Sequence, residues 1–167
     1  MREEIVAALA ILERAIRIEQ EGREFYLKAA QTTEEEKGRE TFRTLASDEQ
    51  NHLDLIKKQR QSLSDQSQWI IPDEIKPAPV DLQKTLFPKG REALKKAIGA
   101  KSGESDALVF GLEIESKSYD FYRQAASEIT DHQGKAMFQF LAGEEKQHFD
   151  TLMMRYDFLF GPIAWTS

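Results

Sequence analysis

Two Glu-x-x-His spacings, Glu49 with His52 and Glu145 with His148, are the residues of this sequence best suited to chemistry, and both lie in stretches of helical periodicity. Three residues is just under one helical turn, so each carboxylate and its imidazole leave the same side of a helix and can reach one site. One such pair is weak evidence, because charged residues three apart are common on solvated helix faces. Here the pairs belong to a longer repeat. At a constant offset of 96 residues, Glu19 falls on Glu115, Phe25-Tyr26 on Phe121-Tyr122, Ala29-Ala30 on Ala125-Ala126 and Gly38 on Gly134. The same offset carries Phe42 to Phe138, Leu45-Ala46 to Leu141-Ala142, Glu49 to Glu145 and His52 to His148. The chain reads as a duplicated helical hairpin in which ionisable residues repeat along with core residues.

The repeated charges interrupt apolar seams. In the first hairpin, Ile5, Leu9, Leu12, Ile16, Glu19, Arg23, Tyr26 and Ala30 alternate steps of four and three, and Phe42, Leu45, Glu49, His52 and Ile56 form a second seam. In the second hairpin the seams are Leu108, Leu112, Glu115, Tyr119, Tyr122 and Ala126, then Phe138, Leu141, Glu145, His148 and Leu152. Four buried glutamates left ionised and unpaired would each cost several kcal/mol, so a positive partner is required. Two divalent cations carry the charge that four carboxylates balance, and two neutral imidazoles complete a two-metal site of Glu19, Glu49, His52, Glu115, Glu145 and His148. Oxygen-rich donors with two imidazoles accept manganese, iron, cobalt or zinc. Asp48 and Glu144 also repeat, but they adjoin the seam and read as solvated charges. His132 stands at a helix start and is assigned no role.

The elements that must position these residues are all helical. The first helix runs from about Glu3 to Ala30 and the second from about Glu34 to Leu63, while the stretch from Trp69 to Ser102 holds four of the five prolines. Ser105 or Asp106 is suited to cap a third helix reaching about Ile129, and Asp131 a fourth ending near Leu159, before Gly161-Pro162. The resulting expectation is an all-α, single four-helix-bundle domain over 1–167, with hairpins at 3–63 and 105–159. A long crossover at 64–104 runs between the second and third helices, so that they lie parallel, with one short extra helix at Gly90–Ile98. Such a crossover also permits helix exchange between subunits.

A net charge of −6 argues against a nucleic-acid partner, which would need a basic face. The absence of cysteine excludes disulfides, thiolate zinc, iron–sulfur ligation and thiol nucleophiles, leaving oxygen and nitrogen to hold any metal. The apolar run Ile5 to Leu12 passes straight into charged helix with no cleavage-type sequence, so a cytoplasmic protein with no membrane partner is expected.

With IEQEGREFYLKAA and LASDEQNHLDLI in one half and IESKSYDFYRQAA and LAGEEKQHFDTL in the other, the sequence resembles the rubrerythrin-like branch of the ferritin-like superfamily over all four helices. The resemblance implies a ferritin-like bundle carrying two iron ions. Glu49 and Glu145 would be bridging ligands, Glu19 and Glu115 terminal carboxylates, and His52 and His148 one imidazole per metal. It also implies that Tyr26 and Tyr122 hydrogen-bond to the carboxylates, although either tyrosine also suits a plain core position.

Two departures stand out. Rubrerythrins usually append a rubredoxin domain, whose iron needs four cysteines, so electrons would here come from an external donor protein. Rubrerythrins also carry a second glutamate one turn from the first on the third helix, where this chain offers Leu112 or Ser118. The expected activity is reduction of hydrogen peroxide or dioxygen, in a homodimer or larger homo-oligomer and in the setting of oxidative stress. The rival expectations are a ferroxidase that handles iron and a non-catalytic bundle stabilised by its metals.

Overall fold

The computed structural model describes residues 2–70, 75 and 103–161. Four long helices account for nearly all of them: α1 (Glu3–Thr32), α2 (Glu36–Gln66), α3 (Glu104–Glu128) and α4 (His132–Phe160). The expected all-α bundle is borne out, with each boundary within a few residues of its sequence position. The expected short helix at Gly90–Ile98 lies outside the described residues.

Local chemistry sets the ends. Asp131 caps α4 as expected, accepting from the backbone N–H groups of Gln133 and Gly134 at 2.8 and 3.0 Å. At α3 neither Ser105 nor Asp106 is the cap. Gly103 takes that position with φ +81, where an L side chain would be strained, and Ser105 is buried inside the helix. α4 stops at Gly161, also at φ +81, and α2 at Ser67 in the left-handed region.

Connections of about three residues force α1 against α2 and α3 against α4 as antiparallel pairs, and the pairs meet through α1–α3 and α2–α4. Tyr26 reaches Glu115 while Tyr122 reaches Glu19, so α1 and α3 run antiparallel and α2 and α3 run parallel. The polar cluster at the start of α3 supports this. Arg155 donates to Glu104 at 2.7 Å and to Glu35 at 3.0 Å, bringing the first residues of α2 and α3 to the same end. α2 extends about 46 Å. Its last turn therefore lies a bundle length away from the first turn of α3, as the crossover expectation requires.

The seam of α1 differs in one respect from the expected stripe. Ala8, Ala15, Gly22 and Ala29 form a buried row of small residues at steps of seven beside Leu12, Glu19 and Tyr26, whereas Arg23 is only half-buried. α3 repeats the arrangement, with Gly111, Ser118 and Ala125 beside Leu108, Glu115 and Tyr122. Small side chains let the neighbouring helices close in. A Cβ on Gly111 would stand 3.0 Å from Leu152, and one on Gly22 3.5 Å from the Glu49 carboxylate.

Apolar packing divides into two clusters, one around Leu12, Ile56, Tyr122 and Phe138 and the other around Tyr26, Phe42, Leu108 and Leu152. They obey the same internal symmetry as the sequence. Tyr26 stacks on Phe42 with ring centroids 6.2 Å apart and 19° between planes, and Tyr122 on Phe138 at 6.2 Å and 24°. Both phenylalanines are fully buried. Truncation to alanine at such a site costs about 3–5 kcal/mol. Phe42→Ala and Phe138→Ala should destabilise the protein by similar amounts in that range in denaturant titrations, and unequal losses would show that the halves are not packed alike.

Candidate metal centre

Between the two apolar clusters lies a polar layer, one helical level deep, formed by Glu19 of α1, Glu49 and His52 of α2, Glu115 of α3, and Glu145 and His148 of α4. None of the six is more than 4% exposed. Each sits where a leucine would fit the seam, so the folding of the apolar residues around it is what carries it inside.

The geometry is specific. His52 Nδ1 lies 3.4 Å from Glu19 Oε2, 3.4 Å from Glu49 Oε2 and 3.7 Å from Glu145 Oε1. His148 Nδ1 lies 3.4 Å from Glu115 Oε1, 3.5 Å from Glu49 Oε1 and 3.2 Å from Glu145 Oε2. Glu49 and Glu145 thus each turn one oxygen toward one imidazole and the other oxygen toward the second. Two four-residue groups result, Glu19–Glu49–His52–Glu145 and Glu49–Glu115–Glu145–His148, whose ligand atoms lie within 4.8 Å of one another in each group. The two rings stack at 5.4 Å.

Glu19 and Glu115 are also held from outside the layer. The Tyr26 hydroxyl donates to Glu115 Oε1 and the Tyr122 hydroxyl to Glu19 Oε1, each bond running from one hairpin to the other. The tyrosines are therefore partners of the carboxylates as well as core residues. Burial, then the nearby carboxylates, raises both phenols well above their ordinary pKa of 10.0, so they stay protonated donors.

Sequence reasoning missed two residues. Asp48 and Glu144, expected to be solvated, bond across the bundle: His148 Nε2 lies 3.2 Å from Asp48 Oδ2, and His52 Nε2 lies 3.4 Å from Glu144 Oε2. Their repetition at the offset of 96 was the available signal. A position next to the seam looks solvated on one helix, but it faces the neighbouring hairpin once α2 and α4 are side by side. His132 is exposed at the start of α4 and takes no part.

Electrostatics shows what the layer lacks. Burial and the Glu49 carboxylate push Glu19 up to about 7. Glu145 is raised well above its ordinary value by burial and by Glu49, Glu19 and Glu115. Burial opposes charge on His52 and His148, yet surrounding carboxylates outweigh it and raise both pKa values. Without cations the layer can be neutralised only by protons. Glu19 Oε2, Glu115 Oε2, both oxygens of Glu145 and the Nδ1 atoms of both histidines are buried without a hydrogen-bond partner, and all belong to the two ligand groups. Six orphaned atoms around one point, all oxygen or imidazole nitrogen, are a donor set that fits two transition-metal cations.

Comparison with known proteins gives the fold and the family. No curated protein matches the chain. A solved hypothetical protein from Pyrococcus furiosus is similar in fold, with a TM-score of 0.64 at 23% sequence identity over 91% of this chain and 89% of that one. The Rubrerythrin family model matches residues 10–156, from within α1 to within α4 and across every residue of the polar layer. The chain belongs to the Rubrerythrin family, a ferritin-like di-iron family.

Proposed function

We propose that this protein is a di-iron carboxylate oxidoreductase that reduces hydrogen peroxide, with dioxygen as the competing oxidant and a separate protein as electron donor. The observation that carries the reading is the pair Glu49 and Glu145, each offering one oxygen to either imidazole, so that two ligand groups share two carboxylates. Residues shared in this way would hold two cations, and a pair of ferrous ions can together supply two electrons. When bound, a ferrous pair supplies one electron per ion to cleave peroxide to two waters, with two protons taken up.

The residues of the chain do the rest. Glu19 and Glu115 would each serve one metal, held in place by Tyr122 and Tyr26. Two cavities of about 400 and 390 Å³ open on the groove between α2 and α4, one reaching His52 and the other His148, and both bordered by Asp48 and Glu144. They offer small oxidants a path to the centre. On the α1–α3 side, Tyr26, Tyr119 and Tyr122 are buried. The 167 residues include no cysteine to hold a rubredoxin-type iron, and the donor is assigned to a separate protein.

Iron loading under anaerobic conditions should give about two ferrous ions per chain, and peroxide should oxidise both within one turnover, seen as ferric absorbance in the near ultraviolet. Full metal uptake with no response to peroxide would favour a structural role, and continued oxidation of excess ferrous iron would favour ferroxidase activity. Metal content separates the ligand roles. Glu145→Ala should abolish binding of both ions, whereas Glu19→Ala should cost chiefly one, as measured by metal analysis after desalting.

The titration of the layer gives a further expectation. Glu19 is raised from 4.5 to about 7, so the folded protein holds a proton that the unfolded chain releases. That contribution is fully present below pH 4.5 and lost as pH rises through about 7, and the raised histidines act in the same direction. The melting temperature of the metal-free protein should therefore fall between these values, and the fall should vanish on loading with zinc, which displaces the protons.

A further inference from the structure

Asp48 and Glu144 form a crossed pair on the outer side of the two histidines. Each stands immediately before a glutamate of the centre, yet each bonds to the histidine of the opposite hairpin, Asp48 of α2 to His148 of α4 and Glu144 of α4 to His52 of α2. We infer that they are positioning residues which fix both imidazoles with Nδ1 inward and whose charges favour the oxidised state of the bound metal pair. The inference rests on the reading of the centre given above.

A neutral imidazole carries a single N–H. A carboxylate at Nε2 keeps the proton there and leaves each Nδ1 lone pair facing three of the four glutamates. The same bond draws charge toward the ring and makes Nδ1 a stronger donor to a cation. Simple charge counting points the same way. Glu19, Glu49, Glu115 and Glu145 balance two divalent ions, and adding Asp48 and Glu144 gives the six negative charges that two trivalent ions require. The outer pair is partly open, with side chains 40% and 29% exposed, so water weakens its direct field. Its influence therefore passes mainly through the hydrogen-bonded rings.

The groove makes the positioning role necessary. Each cavity between α2 and α4 is lined by one of the histidines, and the carboxylates bonded to Nε2 border both cavities, although the histidines themselves are only 3% and 4% exposed. Without the carboxylates, water would compete for Nε2 and nothing on that side would fix the ring. Aspartate at one position and glutamate at the other make similar contacts, at 3.2 and 3.4 Å.

The test is a redox titration of the iron-loaded, full-length protein, paired with cobalt affinity measured by competition. Asp48→Asn and Glu144→Gln keep an acceptor oxygen and remove the charge. Each should retain two irons and shift the ferrous-to-ferric ratio at fixed poise about tenfold toward ferrous, with the double variant shifted further. Asp48→Ala with Glu144→Ala removes the acceptors as well and should weaken cobalt binding about 10–100-fold. Asp48→Glu and Glu144→Asp should restore the wild-type potential. Asp54, which lines the same cavity but is bonded by Gln50, supplies the control, and Asp54→Asn should leave the potential unchanged. The inference is overturned if the Asn/Gln double variant, with native helicity, titrates at the wild-type potential, or if Asp54→Asn shifts it equally. A wild-type protein that takes up no redox-active pair of ions overturns the reading of the centre instead.

Discussion

Four carboxylates held at one level of a dry helical interior need a compensating charge, and most of the arrangement follows from that requirement. The glutamates are carried inside by the leucines, tyrosines and phenylalanines that share their seams. Once inside, they are too close together to be ionised without help. Protons, imidazolium groups or metal cations must make up the difference. The unpartnered inward-facing atoms indicate which of these the layer is shaped for, since protons alone leave buried acceptors unsatisfied while cations engage several at once.

The protein meets this constraint by exchange between its halves. Tyr26 and Tyr122 each hold a glutamate of the other hairpin, and Asp48 and Glu144 each hold a histidine of the other hairpin. Glu49 and Glu145 lie between, shared by both ligand groups. Neither hairpin contains a complete group by itself. The α1–α3 and α2–α4 contacts are consequently as much a part of the centre as the ligand positions are.

Much of this was legible in the sequence because the informative residues are conspicuous. Periodicity located the helices, and the doubled Glu-x-x-His spacing, aligned with Glu19 and Glu115, placed the polar layer at one level. The tyrosines were visible through their register with the glutamates. Other features were hidden for physical reasons. The small row of Ala15, Gly22 and Ala29 carries no hydrophobic signal, although it determines how closely the helices approach, and Arg23 competed with it for a seam position. Asp48 and Glu144 looked solvated because a pattern along one helix says nothing about which neighbour its flank will meet. At α3 the cap rested on the backbone freedom of Gly103, which side-chain capping preferences do not reveal.

The crossed bonding bears on how such a chain can change over time. A lone hairpin could complete the centre only by pairing with its own copy, and every substitution would then appear twice. Joining the two hairpins in one polypeptide lifts that restriction. Gly22 already corresponds to Ser118 at the repeat offset, and Asp48 to Glu144. The two ligand groups have thereby become separately mutable within a shared frame.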